Sequence, residues 1–247
     1  MDRRKVLVTG SSRGIGRAIA IRLADDGWRV ALHYRTGESE AKDVAGTLGE
    51  RCSGVYQADL ADGAEARALI DTVIADGPLH ALVNNAGTYR NIDFLSDDED
   101  EVEQAFAEVF QVNWHSPRRM IHRACRHFKQ NGGGKVLNVV SRVAHRGEPR
   151  ASCYSASKAA LLNLTRSLAV EMAGENIQHF AIAPGWVDTA MAREGMDDRL
   201  PEIVAEIPLG RMATPEECAG AAAYLLSDEA SYLSGVVIDV NGASYLR

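Results

Sequence analysis

The chain has 247 residues, of which 46% are hydrophobic and 25% are charged, and its formal net charge is -7 at pH 7. This composition is typical of a globular protein with one sizeable core, so we expect a single domain over residues 1–247. The acidic balance argues against a nucleic-acid partner or an anionic membrane bound through a broad basic surface.

The apolar stretches of the chain are all short. The first one, in MDRRKVLVTG, passes at once into strand-like residues, so we expect no secretion leader, and no later run approaches membrane-spanning length. The cysteines lack the close spacing of a zinc site and the density of a disulfide scaffold. They are Cys52, Cys125, Cys153 and Cys218. We therefore expect a cytoplasmic protein without a metal site.

Short β-branched runs alternate with stretches of helical periodicity along the chain. The runs are KVLVTG, RVALHY, LHALVNNAG, KVLNVVS, QHFAIAPG and VVIDVNG. Helices are predicted over residues 17–26, 64–75, 101–130, 155–173 and 215–226. This alternation predicts an α/β fold, a Rossmann-like doubly wound parallel sheet with helices on both faces.

Two helix starts carry capping signals. Ser96 precedes the acidic run 97–101, which places negative charge where a helix N-terminus favours it. Thr214 followed by Pro215 offers a cap and a proline at the first helical position.

A glycine-rich turn follows the first predicted strand. In TGSSRGIG, Gly10, Gly14 and Gly16 stand ahead of the helix, where glycines let a diphosphate approach the backbone and the free N–H groups of the helix. The spacing departs from the G-x-G-x-x-G dinucleotide pattern, and the glycines are also compatible with ordinary turn chemistry. The turn therefore predicts a phosphate site, with turn chemistry as the alternative.

The end of the second predicted strand indicates which dinucleotide is bound. NAD-binding folds usually have an acid there, whereas this chain has His33-Tyr34-Arg35-Thr36. Arg35, together with Arg13 of the glycine turn, suits the 2′-phosphate of NADP. Two ordinary surface arginines are the alternative.

Tyr154 and Lys158 lie one helical turn apart in YSASK. Residues at i and i+4 share a helix face, so the ammonium can lie beside the phenol. An unperturbed tyrosine has a pKa of about 10, and a nearby positive charge favours the phenolate. The pair is compatible with proton transfer, and equally with a solvated pair on a helix surface.

Several short motifs occur together in a characteristic order. They are TGSSRGIG, Asp59-Leu60, Asn84-Asn85-Ala86-Gly87, Asn113, Ser141, Tyr154 with Lys158, and Pro184-Gly185. In this order and rough spacing the chain resembles the short-chain dehydrogenase/reductase family over nearly its whole length. Within that family it most resembles the NADPH-dependent 3-oxoacyl-acyl-carrier-protein reductase group and its relatives.

The resemblance implies catalytic roles for four residues. Tyr154 is implied to be the general acid in carbonyl reduction and the base in alcohol oxidation. Lys158 is implied to lower the pKa of Tyr154 and to bind the nicotinamide ribose. Ser141 is implied to bind the substrate oxygen, and the backbone carbonyl of Asn113 to hold a water that links Lys158 to solvent.

The resemblance also implies an NADP(H) site. Asp59 and Leu60 are expected at the adenine, and the Pro184-Gly185 segment at the nicotinamide carboxamide. The expected cofactor residues are Gly10, Ser12, Arg13, Gly14, Ile15, Gly16, Arg35, Thr36, Asp59, Leu60, Asn85, Ala86, Gly87, Tyr154, Lys158, Pro184, Gly185, Val187 and Thr189.

The implied function is NADP(H)-dependent oxidoreduction of a small carbonyl or secondary alcohol. The pocket is expected in residues 142–152 and 186–211, with a lid over roughly 186–214. Candidate lining residues are His145, Arg146, Glu148, Arg150, Trp186, Met191 and Met196. The resemblance also implies a dimer or tetramer formed through helices 101–130 and 155–173.

Two alternatives remain open. One is a 3-oxoacyl-acyl-carrier-protein reductase, although Gly132 and Glu175 stand where such reductases tend to have basic residues for the acidic carrier. The other is an NADP-binding sensor without catalysis. The combination of Ser141, Tyr154 and Lys158 argues against the sensor.

Overall fold

The computed structural model describes residues 4–193 and 200–246, and it contains one parallel sheet. Seven strands form this sheet. They are β1 Lys5–Val8, β2 Arg29–Tyr34, β3 Cys52–Gln57, β4 Ala81–Asn84, β5 Gly134–Val139, β6 Ile177–Pro184 and β7 Val237–Val240. Their order across the sheet is β3-β2-β1-β4-β5-β6-β7.

This order confirms the predicted doubly wound α/β fold. The chain proceeds outward from β1 in one direction and from β4 in the other, so the order reverses between these two central strands. In such sheets, ligands bind in the crevice outside the carboxyl ends of the strands at the reversal point. The ends of β1 and β4 are therefore the place to look for a site.

Nine α-helices lie within the described residues. They are α1 Gly14–Asp25, α2 Glu38–Leu48, α3 Gly63–Ala75, α4 Glu99–Phe110, α5 Ser116–Gln130, α6 Ser152–Glu171, α7 Ala190–Arg193, α8 Leu200–Ala205 and α9 Pro215–Leu226. Helices α1, α2 and α9 pack on one face of the sheet, and α3, α5 and α6 pack on the other. Within the described ranges, no helix has the length and apolarity needed to cross a membrane.

The two faces of the sheet form separate hydrophobic layers. Val6 and Val8 of β1 face the α1 layer, and Leu7 between them faces the α3 layer, because successive strand side chains point to opposite faces. Phe180 in the first layer and Phe128 in the second are fully buried. The central strands are thus covered on both sides, as their continuous apolar runs predict.

Several predicted boundaries differ from the structure. β3 and α2 were not predicted, and α1 begins at Gly14 rather than at residue 17. Asp98, not Ser96, caps α4, because its carboxylate accepts the Glu101 N–H at 3.0 Å. The capping box at Thr214 is confirmed.

The predicted helix 101–130 is divided into two. A π-helical turn, Gln111–His115, separates α4 from α5, and within it the Ser116 N–H bonds to the Gln111 carbonyl five residues earlier. Such turns are rare and often occur at functional sites. Asn113 lies at the centre of this one and is fully buried.

Candidate active site

The glycine turn of residues 10–16, hereafter the glycine loop, lies at the carboxyl end of β1. Gly10 and Gly14 have positive φ values of 63° and 54°. A Cβ on Gly10 would lie 3.1 Å from the Ala86 Cα, and one on Gly16 would overlap the Gly10 carbonyl. Both the backbone conformation and the close packing therefore require glycine in this loop.

The N-terminus of α1 is left open for an anion. Its N-cap residue, Arg13, makes no side-chain cap, and the first turn contains no acidic residue. In contrast, α3, α4 and α9 are capped by Asp62, Asp98 and Thr214. Uncapped N–H groups and the positive end of the helix dipole fit a phosphate, so the loop fits the diphosphate of a dinucleotide.

The ends of β1 and β4 are fastened together by side chains. The Thr9 hydroxyl accepts the backbone N–H groups of Asn85 and Ala86, each at 3.0 Å. The Asn85 amide donates in return to the carbonyls of Thr9 and Gly10, at 2.9 and 3.1 Å. The segment 85–87 thus lies directly against the glycine loop at the reversal point.

The predicted 2′-phosphate residues lie on the surface beside this loop. Arg13, Arg35 and Thr36 are exposed, and among the described residues neither guanidinium forms an ion pair. A Cβ on Gly37 would lie 3.4 Å from the Ser12 hydroxyl oxygen, so the segment after β2 touches the glycine loop. The structure therefore holds both cations near one edge of the crevice. Ile15, in the first turn of α1, packs instead against the α1 layer.

Tyr154, Lys158 and Ser141 converge at the end of β5. Tyr154 and Lys158 lie on α6, and the Lys158 ammonium is 5.7 Å from the centroid of the Tyr154 ring. The ammonium donates to the Val139 carbonyl at 2.9 Å, and the Ser141 hydroxyl lies close enough to the Tyr154 hydroxyl to lower its pKa. The Tyr154 ring also packs edge-on against Tyr89, with 5.4 Å between centroids. The predicted pair is therefore part of a cluster and not a solvated surface pair.

The expected lowering of the Tyr154 pKa is not what this geometry gives. Burial raises the pKa of Tyr154 to about 12, the hydrogen bond with Ser141 lowers it, and the Glu148 charge raises it further. Burial also lowers the pKa of Lys158 to about 8. The physical reason is that Lys158 is buried and Tyr154 is partly buried, and the ammonium lies over the ring rather than beside the hydroxyl.

The side chain of Asn113 is held by residues that sequence analysis missed. Its amide oxygen accepts the Thr88 N–H at 2.9 Å, and its amide nitrogen donates to the Thr88 carbonyl at 2.9 Å and the Ser157 hydroxyl at 3.1 Å. A Cβ on Gly87 would lie 3.3 Å from the Asn113 amide oxygen and 3.4 Å from the Lys158 nitrogen. The π-helical turn, α6 and the end of β4 therefore meet at one point.

Asp59 and Leu60 follow β3 and have structural partners. The Asp59 carboxylate accepts the Ala61 N–H at 2.9 Å in the turn that leads to α3. Leu60 is buried, and its carbonyl accepts the Ser116 hydroxyl at 2.7 Å. These bonds give both residues a structural role at the β3 end of the crevice.

The segment after β6 reaches the glycine loop from the opposite side. The Gly185 N–H bonds the Val240 carbonyl at 2.9 Å, and Val187 is buried in a bridge with Ala213. A Cβ on Gly14 would lie 3.3 Å from the Thr189 methyl group. The segments predicted to bind the diphosphate and the nicotinamide are thus in contact. Pro184 is the last residue of β6 and leads into the second of these segments.

The expected pocket loops contain a buried cation that sequence analysis did not single out. The Arg142 guanidinium is 2% exposed, lies 5.5 Å from the centroid of the Trp186 ring and donates to the Ser244 hydroxyl at 2.9 Å. It also pairs with Glu148 at 3.4 Å and Glu206 at 3.9 Å. Arg142 therefore joins the loop after Ser141 to the end of α8 and the C-terminal segment.

Most of the predicted lining residues have other partners. His145 stacks on Tyr245 with 6.2 Å between centroids, and Arg150 pairs with Asn91 and Asp93 on the surface. Arg146 is half-buried. The side chain of Met191 and the whole of Met196 lie outside the described residues.

Comparison with known proteins identifies relatives over nearly the whole chain. A family model described as enoyl-(acyl carrier protein) reductase matches residues 10–243. The 3-oxoacyl-[acyl-carrier-protein] reductase FabG of Salmonella typhimurium is 36% identical over 97% of this chain and 96% of its own. A short-chain type dehydrogenase/reductase of Picea abies is 36% identical over 97% of this chain and 91% of its own.

A solved structure is also similar to this chain over nearly its whole length. It is a Beutenbergia cavernae protein, provisionally described as an NAD(P)-dependent gluconate 5-dehydrogenase, with bound NADP at low occupancy. The two chains superpose with a TM-score of 0.89 at 35% identity, covering 98% of this chain and 96% of the other. The similarity extends over both sides of the crevice.

Proposed function

This chain belongs to the short-chain dehydrogenase/reductase family, and we propose that it is an NADP(H)-dependent oxidoreductase acting on a carbonyl or secondary alcohol. The observation that carries the proposal is the meeting of Tyr154, Lys158 and Ser141 beside the open N-terminus of α1. The cofactor, when bound, supplies or takes up the hydride. The protein's own task is to orient the substrate and to move a proton.

We infer that Ser141 and Tyr154 bind the substrate oxygen together. The Ser141 hydroxyl lies close enough to that of Tyr154 to affect its pKa, so an oxygen bound between them would meet two donors at the position where negative charge develops in reduction. Tyr154 then gives up its proton to that oxygen. In the reverse direction the Tyr154 phenolate takes the proton from the alcohol.

We infer that Lys158 and Asn113 return the proton from solvent. Lys158 has a pKa of about 8, so both its protonated and its neutral form are accessible near neutral pH. The π-helical turn at Asn113 is the feature that supports a water bound by the Asn113 carbonyl next to Lys158. Such a water links the buried cluster to bulk solvent.

We propose NADP(H) rather than NAD(H) as the working cofactor. Arg13 and Arg35 offer two exposed cations beside the glycine loop, at a strand end that has no acid. Purified protein is expected to use NADPH at least about tenfold more efficiently than NADH by kcat/KM. Equal use, or a preference for NADH, contradicts the proposal.

A pair of variants tests the arginine contribution directly. Arg35→Ala is expected to raise the KM for NADPH about tenfold and to leave the KM for NADH nearly unchanged, because only NADPH carries the 2′-phosphate. Arg29→Ala is the matched control, since Arg29 is equally exposed but begins β2 at the opposite end. An equal effect on both cofactors contradicts this assignment.

We propose a small soluble carbonyl or alcohol as the substrate, with a 3-oxoacyl-acyl-carrier thioester as the second candidate. The second candidate is supported by the identity to the Salmonella reductase. Against it, Gly132 has no side chain and Glu175 pairs with Lys129 at 2.5 Å, which neutralises a cation in that region. A carrier thioester reduced far faster than a matched ketone would reverse the preference.

We also propose that the protein is a cytoplasmic homo-oligomer, a dimer or tetramer, with residues 186–214 as the substrate lid. All four cysteines are free thiols, which suits a reducing compartment. Exposed charge is polarised along α4 and α5: acids occupy the first half and cations the second. Two such helices packed antiparallel would place opposite charges together.

A further inference from the structure

The ring of His33 joins three neighbouring strand ends. His33 lies in β2 and is 2% exposed. Its Nδ1 accepts the backbone N–H of Gly10 at 2.9 Å, and its Nε2 lies 3.1 Å from the Ala58 carbonyl. One side chain thus spans from the first residue of the glycine loop to the residue after β3.

These contacts fix the chemical state of the ring. The Gly10 N–H can only donate, so Nδ1 must be unprotonated, and the ring proton lies on Nε2, where it is donated to the Ala58 carbonyl. Burial, opposed in part by the Asp59 charge, lowers the pKa of His33 to about 4, which agrees with a neutral ring. Both ring nitrogens are therefore satisfied without water.

The backbone of His33 reinforces the same junction. The Ser11 hydroxyl accepts the His33 N–H at 2.9 Å, and the Ser11 N–H donates to the His33 carbonyl at 2.9 Å. Gly10 and Ser11, two successive residues of the glycine loop, are consequently both held by His33. His33 therefore contacts the loop through both its ring and its backbone.

The three strand ends joined by His33 are those that carry the proposed adenosine side of the cofactor site. Gly10 begins the glycine loop, Arg35 follows β2, and Asp59 follows Ala58. We propose that His33 is a positioning residue for cofactor binding, which sets the glycine loop against the ends of β2 and β3. This role for His33 rests on the proposed function only in that NADPH is taken as the ligand.

Three substitutions separate the two ring contacts. The amide oxygen in His33→Asn matches Nδ1 and keeps the Gly10 bond, whereas the amide nitrogen in His33→Gln matches Nε2 and keeps only the Ala58 bond. His33→Leu keeps neither. We expect the Kd for NADPH, measured by fluorescence titration, to rise about tenfold in the Gln and Leu variants and less than about threefold in the Asn variant.

The matched control is His179→Asn. His179 is also fully buried, and burial lowers its pKa to about 4, but it lies in β6 with its Nε2 3.8 Å from the Cys125 sulfur. Its loss is expected to leave the Kd for NADPH unchanged. Equal losses in the Asn and Gln variants of His33, or no loss in either, overturn the proposal.

A second measurement works on the free protein. Amide hydrogen exchange in the peptide covering residues 9–17 is expected to speed up in His33→Gln but not in His33→Asn or His179→Asn. Unchanged exchange in His33→Gln overturns the positioning role even if NADPH binding is weaker. Failure of wild type to bind NADPH contradicts the proposed function instead, and the exchange comparison still decides the role of His33.

Discussion

At the scale of single residues, the proposed chemistry depends on withdrawing two ionisable groups, Tyr154 and Lys158, partly or fully from water. Burial works against the charged form of each, so it raises the pKa of Tyr154 and lowers that of Lys158. A protonated phenol beside a hydroxyl from Ser141 is the state that carbonyl reduction needs. Tyr154 is thus protonated, and able to donate, before any ligand binds.

Removal of the Tyr154 hydroxyl tests this directly. Tyr154→Phe keeps the packing against Tyr89 but cannot donate a proton, so kcat is expected to fall by about 10²–10⁴. NADPH binding, measured by fluorescence titration, is expected to stay within about twofold of wild type.

The control is Tyr56→Phe, which removes a hydroxyl bonded to Asp76 at 2.7 Å on the edge strand β3. It should keep full turnover. A Tyr154→Phe enzyme that remains active would rule out the acid role. A wild type that binds NADPH and turns over no carbonyl in a broad panel would favour the sensor.

The raised pKa of Tyr154 predicts a flat pH profile for reduction and a rising one for oxidation. With a pKa of about 12, the phenol stays protonated through pH 6–9, so the kcat/KM for reduction should not fall through its ionisation. Oxidation needs the phenolate, whose population rises about tenfold per pH unit below the pKa. Initial rates in both directions measure this.

An oxidation profile that levels off near neutral pH would contradict this prediction. It would mean that the Tyr154 pKa is low in the working complex, as the family resemblance implies. Lys158→Met would then identify the cause, because loss of the ammonium should move the plateau to higher pH.

At the scale of elements, the π-helical turn matters most, because it brings Asn113 next to Lys158 in the proposed catalytic cluster. Asn113→Ala is expected to lower the free energy of unfolding by about 2 kcal/mol, since it leaves the Thr88 N–H and carbonyl without their partner in a partly buried place. Urea unfolding measures the loss. Ser157→Ala removes the bond from the Asn113 amide and the hydroxyl's own bond to the Tyr154 carbonyl, but it leaves both Thr88 bonds in place and should cost about half as much.

The turnover of the folded variants separates structure from mechanism. If the Asn113 side chain only positions the turn, both variants should lose activity in proportion to their loss of stability. A selective fall in kcat for Asn113→Ala would instead link the turn to proton return. Full activity and stability in that variant would contradict both roles.

Elements with strong local patterns were predictable from sequence, and those set by neighbours were not. β1, β5 and β6 are mostly buried and mostly apolar, and Thr214 begins α9 with a complete capping box. β3 lies at the sheet edge with exposed side chains and Gly54 in its centre, so it has neither an apolar run nor clear alternation. Its pairing with β2 is what makes it a strand.

The site shows the same division. Tyr154, Lys158 and Ser141 were predictable because their motif order is specific to a family. Thr88 and Ser157, which hold Asn113, and the junction at His33 were not, because they act through contacts between residues distant in sequence that leave no periodic signal. The direction of the Tyr154 pKa depends on burial, which sequence spacing does not give.

At the scale of the whole molecule, the reversal of strand order places two groups of residues on two halves of the sheet. The ends of β1, β2 and β3 carry the glycine loop and the cations, and those of β4, β5 and β6 carry the proposed proton-transfer cluster and the segment around Thr189. Thr9 and Asn85 join the two halves at the centre. The proposed cofactor half and the proposed proton-transfer half of the site are therefore held together by hydrogen bonds at the centre of the sheet.

The charge polarity of α4 and α5 predicts how copies associate. Arg118 and Arg126 are exposed on α5, and Glu99 and Glu103 are exposed on α4. In an antiparallel pair the cations of one copy face the acids of the other. The double variant Arg118→Glu/Arg126→Glu is therefore expected to shift sedimentation toward smaller species at about 0.1 M salt, where charges about 10 Å apart still interact.

A compensating charge swap makes this test specific. Adding Glu99→Arg and Glu103→Arg to the double variant should restore the larger species, because opposite charges again face each other across the pair. Arg67→Glu, at an exposed position on α3, is the control and should not change the sedimentation coefficient. If the fourfold variant stays small while the control behaves as wild type, the helix pair is not held by this charge pattern. If the double variant never dissociates, copies associate through another surface, and the charge pattern of α4 and α5 does not hold them together.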